Sequence, residues 1–188
     1  MKYLVLDLEM NQPSGKIIQI GAAVINAMTF DVKPEKFSVF INPKEELNKE
    51  IVELCSITQE MVNSGYNIVD GVDMLLQFKK KYKCSKNIIA WGGTIYGGND
   101  VLKLKQSAEQ AGYPKEILDK NFGYRYVDVK SLYQLWATAN QKNKNVGVGQ
   151  ASEIIGLGRF NGIMHRADDD AYNTALIYSL LLRKMRGE

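Results

Sequence analysis

The sequence predicts an α/β domain in which a mixed five-stranded sheet is flanked by α-helices. Three observations carry this. Three strand patterns follow one another before Asn42-Pro43. Two further apolar strand patterns, Ile88 to Trp91 and Tyr124 to Val129, are interleaved with segments of helical periodicity. The chain closes on a long stretch whose apolar residues recur at helical spacing.

Taken in order, Tyr3-Leu4-Val5-Leu6 is a continuous apolar run, the pattern of a central strand covered on both faces. Asp7-Leu8-Glu9 follows. Residues two apart on a strand share a face, so Asp7 and Glu9 project together with Leu8 opposite. Two readings are open here. Either the strand has ended and both acids are solvated, or two like charges stand at the end of a buried strand and divalent cations compensate them. Pro13-Ser14-Gly15 is a turn. Ile17 to Ile25, β-branched and apolar with Gly21 inside it, predicts a second strand paired with the first as a hairpin. Lys36 to Ile41 alternates and predicts a third, so an antiparallel meander is expected at one side of the sheet.

Leu47, Ile51 and Leu54 have helical spacing. Ser56-Ile57-Thr58-Gln59 fits a capping box, with Thr58 as the alternative N-cap, before a short helix to about Asn63 that Gly65 stops. Val72 to Tyr82 predicts a longer helix, and Lys79, Lys80, Lys81 and Lys83 complement the dipole at its end. Ile88 to Trp91 is a short buried strand with Trp91 in the core. Gly92 to Asn99 is a glycine-rich loop lacking the phosphate-loop lysine and the dinucleotide fingerprint. Asp100 opens a helix to about Ala111, a position where aspartate is most often a cap. Tyr124 to Val129 is the fifth strand, and Asp128 caps the helix after it. Leu132 to Ala139 reads as a helix, Lys142 to Gly149 as a polar loop, and Ala151 to Leu157 as a short helix ended by Gly158. The closing helix presents Ala171, Thr174, Ala175, Tyr178, Leu181, Leu182 and Met185 as one stripe.

Composition bounds the rest. A chain of 188 residues is expected to form one domain over 1–188, and 45% hydrophobic with 24% charged residues argues against disorder. A net charge of +3 permits a nucleic-acid partner without requiring one. Cys55 and Cys84 are not spaced as a metal or redox pair, so free thiols in a reducing compartment are expected. The first residues lack the apolar stretch of a signal peptide, and no run approaches a membrane span; a cytoplasmic location without membrane contact is the expectation.

The chemistry gathers near the end of the chain. Met164-His165-Arg166-Ala167-Asp168-Asp169-Asp170-Ala171 holds the only histidine and three consecutive acids at a helix start. Asp7-x-Glu9 on the first strand, Asp100 in mid-chain and His165-x4-Asp170, in that order, resemble the three exonuclease motifs of the DEDDh 3′–5′ exonuclease superfamily. The resemblance runs from Tyr3 to about Arg183. Ile57-Thr58-Gln59-Glu60-Met61-Val62 resembles a segment of the branch that includes the RNA-interference and histone-mRNA exonucleases, and of the bacterial sporulation-inhibitor exonuclease group.

The resemblance implies a ribonuclease H-like fold and a metal-dependent 3′–5′ exonuclease that releases nucleoside monophosphates from single-stranded RNA or DNA, with RNA favoured. It implies two divalent ions, Mg2+ or Mn2+, clamping an in-line displacement. In that pattern Asp7 bridges both ions, Glu9 and Asp170 hold the nucleophile-side ion, Asp100 holds the other, and His165 is the general base. Asp168 and Asp169 are then flanking cap residues. Asn11 stands where the family often has a threonine near the terminal nucleotide and is expected to donate the same kind of hydrogen bond to substrate, and the loop before Asp100 is longer than usual. Tyr96 in that loop is a candidate for stacking on a base. Two alternatives are carried forward: a non-catalytic nucleic-acid or protein-binding module on the same fold, and a ribonuclease H-like endonuclease.

Overall fold

A computed structural model describes residues 1–92 and 99–188. Its sheet has the order β3-β2-β1-β4-β5, formed by β1 (Lys2–Met10), β2 (Ile17–Asn26), β3 (Phe37–Phe40), β4 (Cys84–Ala90) and β5 (Tyr126–Asp128). β1, β2 and β3 form the expected antiparallel meander, whereas β4 pairs parallel with β1 and β5 parallel with β4. β1 is therefore central, as its apolar run requires.

The two faces of β1 explain where its acids point. Leu4, Leu6 and Leu8 pack into a core with Val72, Leu75 and Leu104, beneath α3 (Ile68–Lys81) and α4 (Asp100–Gln110). Val5 faces the opposite core, with Tyr133 of α6 (Val129–Ala139), Ala151 of α7 (Val148–Ile155) and Ala171, Ala175 and Tyr178 of α8 (Ala167–Arg186). Each fully buried leucine contributes roughly 1.5–3 kcal/mol, so this alternation fixes the register strongly. Continuing the alternation from Val5 puts Asp7 and Glu9 on the α8 face.

Three small residues let α8 lie close to the sheet. Ala171 and Ala175 are fully buried, and Gly21, the register partner of Asp7, lies under the first turn. A Cβ on Gly21 would overlap the Ala167 carbonyl carbon and the Asp168 nitrogen. The glycine inside the second strand thus marks a close backbone approach. The remaining helices are α1 (Lys49–Cys55), α2 (Gln59–Asn63) and α5 (Lys115–Asn121).

Several boundaries differ from expectation for local reasons. Thr58 is the N-cap of α2, and its hydroxyl accepts from the Met61 amide. α3 begins at Ile68 because Asn67 caps it, accepting from the Asp70 amide. α7 ends two residues earlier than expected, at a left-handed Gly156 rather than at Gly158. α5, opened by Pro114, has no counterpart in the sequence reading; its seven residues show one fully buried apolar position, Leu118. The α8 stripe is buried through Leu181, but Met185 is 57% exposed in the last turn. Among the described residues, no helix is long and apolar enough to cross a membrane.

Candidate active site

The elements converge at the end of β1. Asp7, Glu9, His165 and Asp170 line one cleft of about 390 Å³, together with Trp91 and residues 147–150 at the start of α7. One ligand atom each from Glu9, His165 and Asp170 lies within 4.8 Å of the other two. Asp7 lines the same cleft outside this tightest trio. Asp100 enters from the first turn of α4, and its charge raises the pKa of both Asp7 and Glu9. Tyr96 lies outside the described residues.

Asp100 is not the cap of its helix. That role falls to Asn99, whose side chain accepts from the Leu102 amide, so the Asp100 carboxyl is left to the site. At the other strand end Asp128 is a cap as expected: its carboxylate accepts from the Ser131 amide and hydroxyl, and from the Gly92 amide at 2.9 Å.

The electrostatics follow from four carboxyls in one half-buried place. Burial, then repulsion from Asp100, Asp170 and Glu9, raises Asp7 well above the ordinary carboxyl range. Burial pushes Glu9 up to about 8, although the Cys55 thiol donates to it at 3.2 Å and opposes the shift. Burial likewise pushes Asp100 and Asp170 up to about 7, with a backbone hydrogen bond from His165 opposing the rise at Asp170. Such a group carries its full negative charge at neutral pH only with positive charge among its members. Carboxylate oxygens are donors for a hard divalent cation, and Glu9 and Asp170 stand close enough to share one, with the His165 ring beside them.

The approach to α8 is held by side chains far apart in sequence. Gln19, fully buried on β2 opposite Glu9, accepts from the Ala167 amide at 3.0 Å. Its amide nitrogen donates to Asp168 at 3.0 Å and to the Ser38 hydroxyl at 2.9 Å. Gln19 therefore caps α8, whose own N-cap residue Arg166 has no side-chain cap bond. The Arg166 guanidinium instead donates to the Ser56 carbonyl at 3.0 Å and lies over the Phe40 ring, where its charge lowers the Glu9 pKa.

Asp168 and Asp169 are not solvated cap residues. Asp169 is 6% exposed, is paired with Lys36, and accepts from the Ile163 amide at 2.8 Å. Gly162 packs directly on its carboxylate, where any Cβ would overlap it. One turn further on, Asn173 donates to the Asn161 carbonyl at 2.8 Å and accepts from its amide at 3.0 Å. These bonds tether the segment leading into His165, which is exposed and takes a left-handed backbone with φ of 59°.

Two further expectations change. Asn11 is 3% exposed and its amide is committed: it donates to Glu45 at 2.7 Å and to the Glu46 carbonyl at 3.0 Å, and accepts from the Asn48 amide at 2.9 Å. It braces the segment before α1 and has no donor left for a nucleotide. Trp91 is half-buried, 5.8 Å from the Tyr133 ring centroid, and walls the cleft instead of sitting wholly in the core. Cys55, Gln19, Lys36 and Gly147 to Gln150 are site residues that sequence reasoning missed. Only the Gly147-Val148-Gly149 pattern carried a local signal.

The fold is the ribonuclease H-like fold of the DEDDh 3′-exonucleases. The particular likenesses are these. The family model described as Exonuclease, RNase T, matches residues 4–90. The DNA polymerase III PolC-type protein of Clostridium perfringens is 28% identical over 190 residues, covering 100% of this chain and 12% of that one. The chain thus spans 12% of the length of the curated relatives it matches. The nuclease domain of 3′hExo, described as a DEDDh family member bound to rAMP, superposes with a TM-score of 0.76 at 14% identity, covering 97% of this chain and 92% of that one. Exonuclease I of E. coli in complex with a dA16 oligonucleotide superposes with a TM-score of 0.69 at 15% identity, covering 98% of this chain and 41% of that one.

Proposed function

We propose that this chain is a metal-dependent 3′–5′ exonuclease that hydrolyses single-stranded RNA or DNA, RNA preferred, and releases nucleoside 5′-monophosphates. The observation that carries the proposal is the convergence of Asp7, Glu9, Asp170 and His165 on one cleft, with Asp100 at its edge. Asp7, Glu9, Asp100 and Asp170 would hold two divalent cations. Bound there, they would supply Lewis acidity to a water nucleophile and charge neutralisation at the leaving oxygen. His165 would take the proton from the attacking water, the water oxygen would bond to phosphorus, and the bond from phosphorus to the upstream 3′ oxygen would break, that oxygen gaining a proton from solvent to become the new 3′ hydroxyl. His165 is suited to this because it is exposed at the cleft mouth and within reach of Glu9 and Asp170.

The rAMP and dA16 ligands of the structural neighbours support a nucleic-acid substrate of either sugar, and the Ile57 to Val62 segment favours RNA. The free thiols Cys55 and Cys84 favour a reducing, cytoplasmic setting. The test is nucleotide release by Asp7→Ala and Asp170→Ala. Both variants are expected to fold and to lose metal-dependent release; cleavage retained by either removes the metal assignment.

A further inference from the structure

A cleft of about 880 Å³ lies apart from the acidic site and shares none of its lining residues. It lies between the β1–β2 turn, the chain after β3, the start of α3 and one face of α4. Its lining holds three lysines, Lys16, Lys44 and Lys103, against one acid, Asp70. The N-terminal turn of α3 also opens on it, and the partial positive charge there has the same sign as the lysines.

The face of α4 connects this cleft to the site. Lys103, Ser107 and Gln110 line it, at the helical spacing i, i+4, i+7. Asp100 lies three residues before Lys103, so their Cβ atoms are about 5–6 Å apart on one face. A single polar stripe therefore runs from Asp100 along about 15 Å of helix into the cleft. Lys103 has no ion-pair or hydrogen-bond partner among the described residues, unlike Lys16, which pairs with Glu45 at 2.9 Å. The turn at Gly15, with φ of 67°, lies beside the end of the Lys103 side chain.

We infer that this cleft is the track for the single-stranded nucleic acid upstream of the scissile bond, with Lys103 contacting a backbone phosphate beside the site. The inference rests on the proposed function for its substrate. The occupant follows from charge: with Lys16 paired to Glu45, Lys44 and Lys103 still outnumber Asp70 in the lining and complement a chain of phosphates, and a hydroxyl and an amide on the same stripe are sequence-neutral partners for phosphate and sugar.

Two arms test this separately from catalysis. In the first, a labelled single strand long enough to run the length of α4 is titrated against full-length protein without divalent metal, across a salt series. Lys103→Glu and Lys103→Gln are compared with wild type, each checked for an unchanged unfolding temperature. Both variants should weaken binding, Lys103→Glu by about tenfold or more, and Lys103→Gln should reduce the salt slope by about 0.7, the share of one phosphate on a single strand. In the second arm, kcat/KM is measured on that strand and on a dinucleotide. The advantage of the long strand over the dinucleotide should shrink in both variants, through KM. Folded variants with wild-type affinity, salt slope and length advantage overturn the inference and leave the cleft to an occupant other than nucleic acid. Metal-free binding that depends on Lys103 in a protein that hydrolyses nothing supports the track and refutes the exonuclease.

Discussion

Raising the pH of the metal-free protein tests the carboxyl cluster without altering a residue. Burial holds Glu9 at about 8 and Asp100 and Asp170 at about 7, whereas the unfolded chain titrates such groups near pH 4. The sign follows from linkage. A carboxyl whose folded pKa is raised adds stability that is complete below the unfolded value and is lost as pH rises through the folded one. At about 1.4 kcal/mol per pH unit, Glu9 alone would forgo about 5 kcal/mol if its site were rigid and dry. The cleft is open to water on one side, which reduces the loss; we expect about 2 kcal/mol for the cluster between pH 5 and pH 8. For a chain of this size 1 kcal/mol moves the unfolding temperature by about 2–4 °C, so metal-free Tm should fall by about 4–8 °C. Mg2+ or Mn2+ at about a hundred times Kd adds about 2.7 kcal/mol and should restore it. The gain should be larger at pH 8 than at pH 5, where binding must first displace protons. Thermal melts followed by circular dichroism, in chelator and in metal, measure all of this. Asp170→Asn is the control: it should melt higher than wild type at pH 8 without metal and respond less to metal. A metal-free Tm that is flat or rises over this range, or an Asp170→Asn variant with the full metal response, contradicts the reasoning.

Other perturbations reach the site through its supports. Gly21→Ala drives a methyl group into the backbone of Ala167 and Asp168, and overpacking of this kind costs about 1–3 kcal/mol; nuclease activity should fall further than stability, because α8 carries Asp170 away from Asp7. Asp169→Asn removes the charge facing Lys36 in a buried place, at about 1–3 kcal/mol. It should also lower kcat by loosening the segment before His165, and wild-type kcat with lowered Tm would show a purely structural role. His165→Ala should cut the rate by about 10²–10⁴ at unchanged Tm; a rate close to wild type assigns the base to another group.

The parts of the site that were legible in the sequence are those set by local periodicity. A strand's period of two put Asp7 and Glu9 on one face. Local rules failed where two residues satisfy them equally. Asn99 and Asp100 are both good caps, and only the hydrogen bond to Leu102 separates them. They failed again where the partner is remote. Asp168 and Asp169 look like first-turn acids, but Gln19 and Lys36 lie 149 and 133 residues away in sequence. Asn11 was read through the family position it occupies, and its side chain serves the segment at Glu45 to Asn48 instead. Gly21 was visible as an interruption of a strand, but its purpose needed the helix that crosses above it.

Wild-type protein incubated with linear single strands labelled at the 5′ or the 3′ end, and with a circular strand of the same sequence, each in RNA and DNA form, addresses the central claim most directly. With Mg2+ or Mn2+, the 3′ label should leave at once as a mononucleotide, the 5′ label should move down a ladder of successively shorter products, and the circles should persist, with RNA consumed faster. Chelator should stop every reaction. Circles cut at the same rate as linear strands, or a 5′ label released first, would contradict a 3′–5′ exonuclease.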